Sequence, residues 1–167
     1  MIQRKLLIPI DGSVECQEIL SVIYSLFQDA PLEITLMQVV YTPFKIGHTM
    51  LHKSSKKVER SLDALARQLE SFGYATKVKL EYSDNPARAI VFQAVRANVD
   101  AIAMTTHGET AMKRLLVGSV AEEVLRNAPV PVLMVRPTLQ AQSRSQKAHY
   151  APRQQPMTAQ PVLTLAA

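Results

Sequence analysis

Short apolar runs alternate along this chain with stretches whose apolar residues step by three and four. Lys5–Ile10 is an apolar run that stops at Asp11-Gly12-Ser13, a strand followed by a turn. Cys16, Ile19, Leu20, Ile23, Leu26 and Phe27 then recur at the spacing of one helix face. Glu33–Val40 reads as a second strand, and residues 41–49, with Pro43 and Gly47, as a loop. Val58, Leu62, Leu65, Leu69 and Phe72 mark a long helix that Gly73 is placed to end. In the third strand Val78, Leu80 and Tyr82 alternate with Lys77, Lys79 and Glu81, so one face meets water, as near a sheet edge. Asn85-Pro86 opens a helix with a capping side chain and a proline in the first turn, and Ile90, Val91, Ala94 and Val95 form its apolar stripe. Ala101–Thr105 is a fourth strand, a helix begins at Ser119, and Val130–Val135 is a last strand closed by Pro137. Strands and helices in strict alternation call for an α/β fold built on a parallel sheet with helices on both faces. Alternation alone does not give the order of the strands in space.

The pattern stops after Pro137. Residues 138–167 are rich in Gln, Ala, Ser and Pro without sustained periodicity, so they are expected to form a disordered tail on a single domain of residues 1–137. The tail also explains much of the net charge of +5: it holds Arg144, Lys147 and Arg153 and no acid. The rest is nearly balanced, there is no Trp, and no aromatic cluster is interleaved with basic residues. That distribution argues against a nucleic-acid partner. No apolar run approaches the ~20 residues that span a bilayer, which argues against a membrane protein. The N-terminus lacks a signal-peptide pattern and the chain has one cysteine, Cys16, which suits a reducing cytoplasm.

One stretch carries the chemistry. Between the strand ending at Thr105 and the helix starting at Ser119 runs a loop with Gly108 near its start and Gly118 at its end. Ser119-Val120-Ala121-Glu122 has the form of a Ser-x-x-Glu capping box. A helix N-terminus presents N–H groups without intrahelical acceptors and a partial positive charge, so it favours anions. Gly118 leaves room for a phosphate, Ser119 adds a hydroxyl, and Lys113 and Arg114 add charge. The same residues also serve as turn glycines, a helix cap and solvated loop charges, and the stretch is neither a P-loop nor a GxGxxG fingerprint.

Gly108, nine intervening residues and then Gly118-Ser119 resemble the second half of the G-x2-G-x9-G-[ST] nucleotide motif of universal stress proteins. SVAEEVLRNAPVPVLMVRP is similar to that family's closing helix and strand, and KLLIPIDGS to its first strand and turn. The resemblance covers about Lys5 to Pro137. It implies a five-stranded sheet in the order 3-2-1-4-5, with a ligand crevice where strands one and four separate. It places Pro9, Val39 and Met104 around adenine, Asp11 toward the ribose, and Thr105, Gly108, Gly118, Ser119 and Val120 on the phosphate side. It further implies ATP, with any Mg or Mn held through the phosphates, and a homodimer formed through Val130–Val135.

Three positions depart from the family. Gln38 stands where His is frequent, Asp84 replaces a glycine before the third helix, and Thr105 occupies the first motif glycine. If the backbone at 105 needs a positive φ, threonine costs on the order of 1–2 kcal/mol there. If only closeness to phosphate matters, its side chain either crowds the ligand or lends it a hydroxyl. No catalytic constellation is legible: His107 has no nucleophile placed with it by a motif, and His48 with His52 lacks a third metal ligand. The expected function is ATP-dependent regulation in the stress response. The alternative is a nucleotide-free homodimeric interaction protein of the same fold, and any enzyme activity would be at most slow ATP hydrolysis.

Overall fold

The structure, a computed structural model, describes residues 3–12, 15–28, 30–42, 48–106 and 117–136, with the side chains of 15–17, 48–55 and 57 excepted. Five strands and four helices alternate: β1 (Arg4–Ile10), α1 (Glu15–Phe27), β2 (Leu32–Tyr41), α2 (His48–Ser71), β3 (Ala75–Ser83), α3 (Pro86–Arg96), β4 (Ala101–Thr105), α4 (Ser119–Asn127) and β5 (Val132–Val135). All strands are parallel in the order β3-β2-β1-β4-β5. The order expected from the family resemblance is therefore the order observed.

The sheet divides two apolar layers. On one side Ile8, Ile10, Ile34 and Leu36 pack with Ile19, Leu20 and Ile23 of α1 and Leu62, Ala66 and Leu69 of α2. On the other, Leu7, Met37, Ile102 and Met104 pack with Ala87, Ile90 and Ala94 of α3 and Ala121 and Val124 of α4. Each strand thus sends alternate residues to opposite layers, which explains why the buried strands read as continuous apolar runs.

Helix α2 starts at His48, ten residues before the apolar stripe that announces it. Gly73 ends it as expected: its φ is +90°, its N–H donates to Glu70 O at 2.9 Å, and Tyr74 N–H donates to Leu69 O at 3.2 Å. That pair of bonds is a Schellman cap. The same cap closes α3 without a glycine. Asn98 takes φ 47°, its N–H donating to Val95 O and that of Val99 to Ala94 O. Asn85 caps the start of α3, its side chain accepting from Arg88 N–H at 2.8 Å.

Two expected boundaries need correction. The last strand spans Val132–Val135 rather than Val130–Val135, because Pro131 has no N–H and contributes only its carbonyl, to Ile102 N–H at 2.9 Å. Helix α4 is capped by Gly118, not by Ser119. Gly118 is extended (φ −71°, ψ 152°) and its carbonyl accepts the first intrahelical bond, from Glu122 N–H at 2.9 Å, which leaves Ser119 in the first helical turn.

Candidate functional site

The crevice begins with a missing bond. Strand β1 pairs with β2 from Arg4 to Ile10, but with β4 only at Leu6–Ala101 and Leu7–Ile102. Two residues beyond Leu7, on the same side of the strand, stands Pro9, which has no N–H to give to β4. The two strands part there. Asp11 follows at the tip of β1, and Gly12 turns the chain with φ +85°. A β-carbon on Gly12 would lie 3.3 Å from Nε2 of Gln38, so Gln38 packs beside this turn.

Alternation sorts the candidate residues by face. Met104 belongs to the layer beneath α3 and α4, and Val39 and Val120 pack against it there. Leu7 is in that layer, so Pro9, two residues on in the same strand, shares its face, and Asp11 follows just past the strand's last residue. Pro9, Val39, Met104 and Val120 thus gather on one side of the sheet, near the C-terminal ends of three adjacent strands, with Asp11 just past the tip of β1. Ile10, its Cα partner Gln38 and Thr105 face the other way, Thr105 being level with Val135 in the layer beneath α1 and α2.

Thr105 does not have the backbone that a glycine would be needed for. It ends a regular strand, and among the described residues Asn98 is the one non-glycine with a positive φ. The strain considered for this position is absent, and its side chain shares the face opposite Met104. Thr106, which the sequence did not single out, ties the loop ends together. Its N–H donates to Val135 O at 2.9 Å and its carbonyl accepts from Gly118 N–H at 2.6 Å. Neither bond leaves a mark in the sequence, because both are made by backbone.

Past Gly118, the N–H groups of Ser119, Val120 and Ala121 precede the first intrahelical bond and have no acceptor within the helix. Ser119 is exposed, and Gly118, lacking a side chain, gives the helix no side-chain cap. An exposed hydroxyl beside open N–H groups at a positive helix end is an arrangement that accepts anionic oxygens. Glu122 is drawn away by Arg126 at 2.8 Å, and Glu123 accepts from the Asn85 amide at 3.1 Å. Gly108, Lys113, Arg114 and His107 lie outside the described residues, as do the side chains of His48 and His52. Among the described residues no group of His, Cys, Asp and Glu is arranged to hold a metal, and no helix is long and apolar enough to cross a membrane.

Residues 3–136 match the model of the universal stress protein family. The chain belongs to the universal stress protein family. Among its relatives, universal stress protein MJ0531 of Methanocaldococcus jannaschii is 33% identical over 141 residues, 80% of this chain and 82% of that protein. The solved structure of MJ0577, from the same organism, superposes with a TM-score of 0.75 at 26% identity, covering 81% of this chain and 96% of that one. A family member from Arabidopsis thaliana, solved with AMP bound, has a TM-score of 0.62 at 12% identity, covering 82% and 94% of the two chains. At that identity the likeness is one of fold.

A separate cleft of about 370 Å³ lies between β3 and the outer flank of α3, lined by Glu81, Ser83, Asp84, Arg88, Phe92 and Arg96 among others. None of the candidate nucleotide residues borders it, and its mixed charges set no direction for a ligand.

Proposed function

We propose that this family member is a regulatory ATP-binding module acting in the cytoplasm, with residues 1–137 as the binding unit and 138–167 as an appendage. The observation that carries the reading is the start of α4, its first N–H groups without acceptors in the helix and Ser119 exposed, beside the layer that holds Val39 and Met104. Adenine would lie against Pro9, Val39 and Met104, with Asp11 accepting from ribose hydroxyls. Gly118, Ser119 and Val120 would take the phosphates together with Gly108. Mg or Mn would arrive on the phosphates, since divalent magnesium favours substrate oxygens and water over a cage made wholly of protein. Family members solved with AMP and in complex with cAMP support an adenine nucleotide as the ligand class.

Calorimetric titration of the full chain with ATP and magnesium tests the reading, with adenosine as the control. ATP should bind more tightly, because only the phosphates gain from the α4 N–H groups. Thr105→Gly should leave the Kd for ATP within about twofold, because there is no strained backbone to relieve. It should cost about 1 kcal/mol of stability, as glycine does in place of a β-branched strand residue. If the unmodified chain and the variant both fail to bind at millimolar ATP, the nucleotide-free interaction protein becomes the better account.

The proposed partner is a second copy, joined through β5. That strand is an edge of the sheet, it carries no charge, and Val132, Leu133 and Met134 are only half-buried. Light scattering should give twice the 18.5-kDa chain mass, and Leu133→Lys should lower it toward the monomer. A monomer at micromolar concentration would contradict the pairing.

A further inference from the structure

Helix α4 has a thin hold on the domain. It is nine residues long, its buried side chains are Ala121 and Val124, one of them a single methyl group, and Val120 packs beside them only partly buried. Among the described residues two polar ties supplement it. One is the bond from Gly118 N–H to Thr106 O. The other is on the flank: Glu123, half-buried, accepts from Nδ2 of Asn85 at 3.1 Å.

Asn85 is itself firmly placed. Its side-chain oxygen caps α3 through Arg88 N–H at 2.8 Å, and its backbone N–H donates to Ser83 Oγ at 3.1 Å. A side chain fixed at one end by a helix cap and at the other by a carboxylate is a rigid bracket between two helices. Glu123 sits about one turn beyond Ser119, roughly 6 Å along the axis, on the same side of the helix. The bracket therefore grips α4 directly behind the residue that opens toward the crevice.

We propose that Glu123 is a positioning residue for the anion-binding end of α4, acting through Asn85; the assignment rests on the nucleotide reading given above. Its charge makes the role testable. A carboxylate so near the helix start repels phosphate, so a purely electrostatic account predicts that any neutral replacement strengthens ATP binding. Positioning predicts that neutral replacements part company. Glu123→Gln keeps an oxygen acceptor for the Asn85 amide and holds the helix in place, whereas Glu123→Ala releases it.

Titration of the full chain with ATP and with adenosine separates the cases. Glu123→Gln should bind ATP at least as tightly as the unmodified protein. Glu123→Ala should bind ATP about fivefold more weakly, the loss of roughly one hydrogen bond, with adenosine unchanged. Asn85→Ser keeps a capping oxygen for α3 but removes the amide, and should reproduce the alanine effect. The assignment is overturned if Glu123→Gln and Glu123→Ala behave alike toward ATP, or if adenosine weakens as much as ATP. Should the unmodified chain bind neither ligand, the nucleotide reading has failed, and hydrogen exchange at Gly118 judges the bracket alone. Exchange there should be about tenfold faster in Glu123→Ala and unchanged in Glu123→Gln; equal exchange in all three proteins overturns the proposal.

Discussion

Gly118→Asp is expected to abolish ATP binding while leaving the fold as stable as before or slightly more so. The two halves of that result have one cause. Gly118 is the cap of α4 and holds φ −71° and ψ 152°, an extended conformation open to any residue. Aspartate therefore brings no backbone strain, and as a cap it ranks above glycine by a few tenths of a kcal/mol. Its carboxylate would accept from the N–H groups of the first turn, the same groups a phosphate would use, and would repel that phosphate as well. Competition plus repulsion should weaken ATP by at least ~100-fold, about 2.7 kcal/mol. Calorimetric titration and thermal unfolding of the same preparation give both numbers. Binding retained within tenfold would mean that the phosphates do not sit at α4.

Leu7→Ala should remove 2–5 kcal/mol of stability, the range for truncating a buried leucine whose surroundings collapse only in part. Leu7 is fully buried in the central strand, in the layer beneath α3 and α4. In a domain of ordinary stability, about 5–15 kcal/mol, the middle of both ranges is a loss of about a third of the margin. Leu125, on the outer side of α4 and 52% exposed, provides the contrast: Leu125→Ala should stay within about 0.5 kcal/mol. Urea unfolding, read as a shift of midpoint at constant slope, distinguishes the two. A cost below 1 kcal/mol at Leu7 would mean that this layer is not the close-packed interior described.

The architecture was legible because its signals are local and repeated. Apolar runs, one alternating strand, three-and-four spacings and a capping signal named the strands and helices, and Gly73 announced a left-handed cap that only glycine adopts freely. The matching cap at Asn98 went unannounced, since asparagine is common in many settings and tolerates that conformation only with local help. The start of α2 was hidden because residues 48–57 carry no regular apolar stripe. The capping box misled for a physical reason: Ser-x-x-Glu also fits one residue inside a helix when glycine precedes it and can serve as the cap. At the candidate site, resemblance supplied the residue list and strand alternation supplied the grouping of Pro9, Val39 and Met104. What no pattern carries is hydrogen bonding across distance. The clamp through Thr106 and the bracket between Asn85 and Glu123 join residues far apart in the chain, by groups that every residue or many residues possess.

The two edges of the sheet are opposites. β3 carries Lys77, Lys79 and Glu81 along its length, whereas β5 is four apolar residues. Charged side chains on an edge deter another strand, and an uncharged edge does not. A sheet with two welcoming edges can recruit copies without end and grow into a fibre. This one has a single welcoming edge, so any copy that joins through β5 uses up the site by which the next would enter. Such an association is isologous and closes on itself at two. The lysines of β3 would then set the upper limit on how large the assembly becomes.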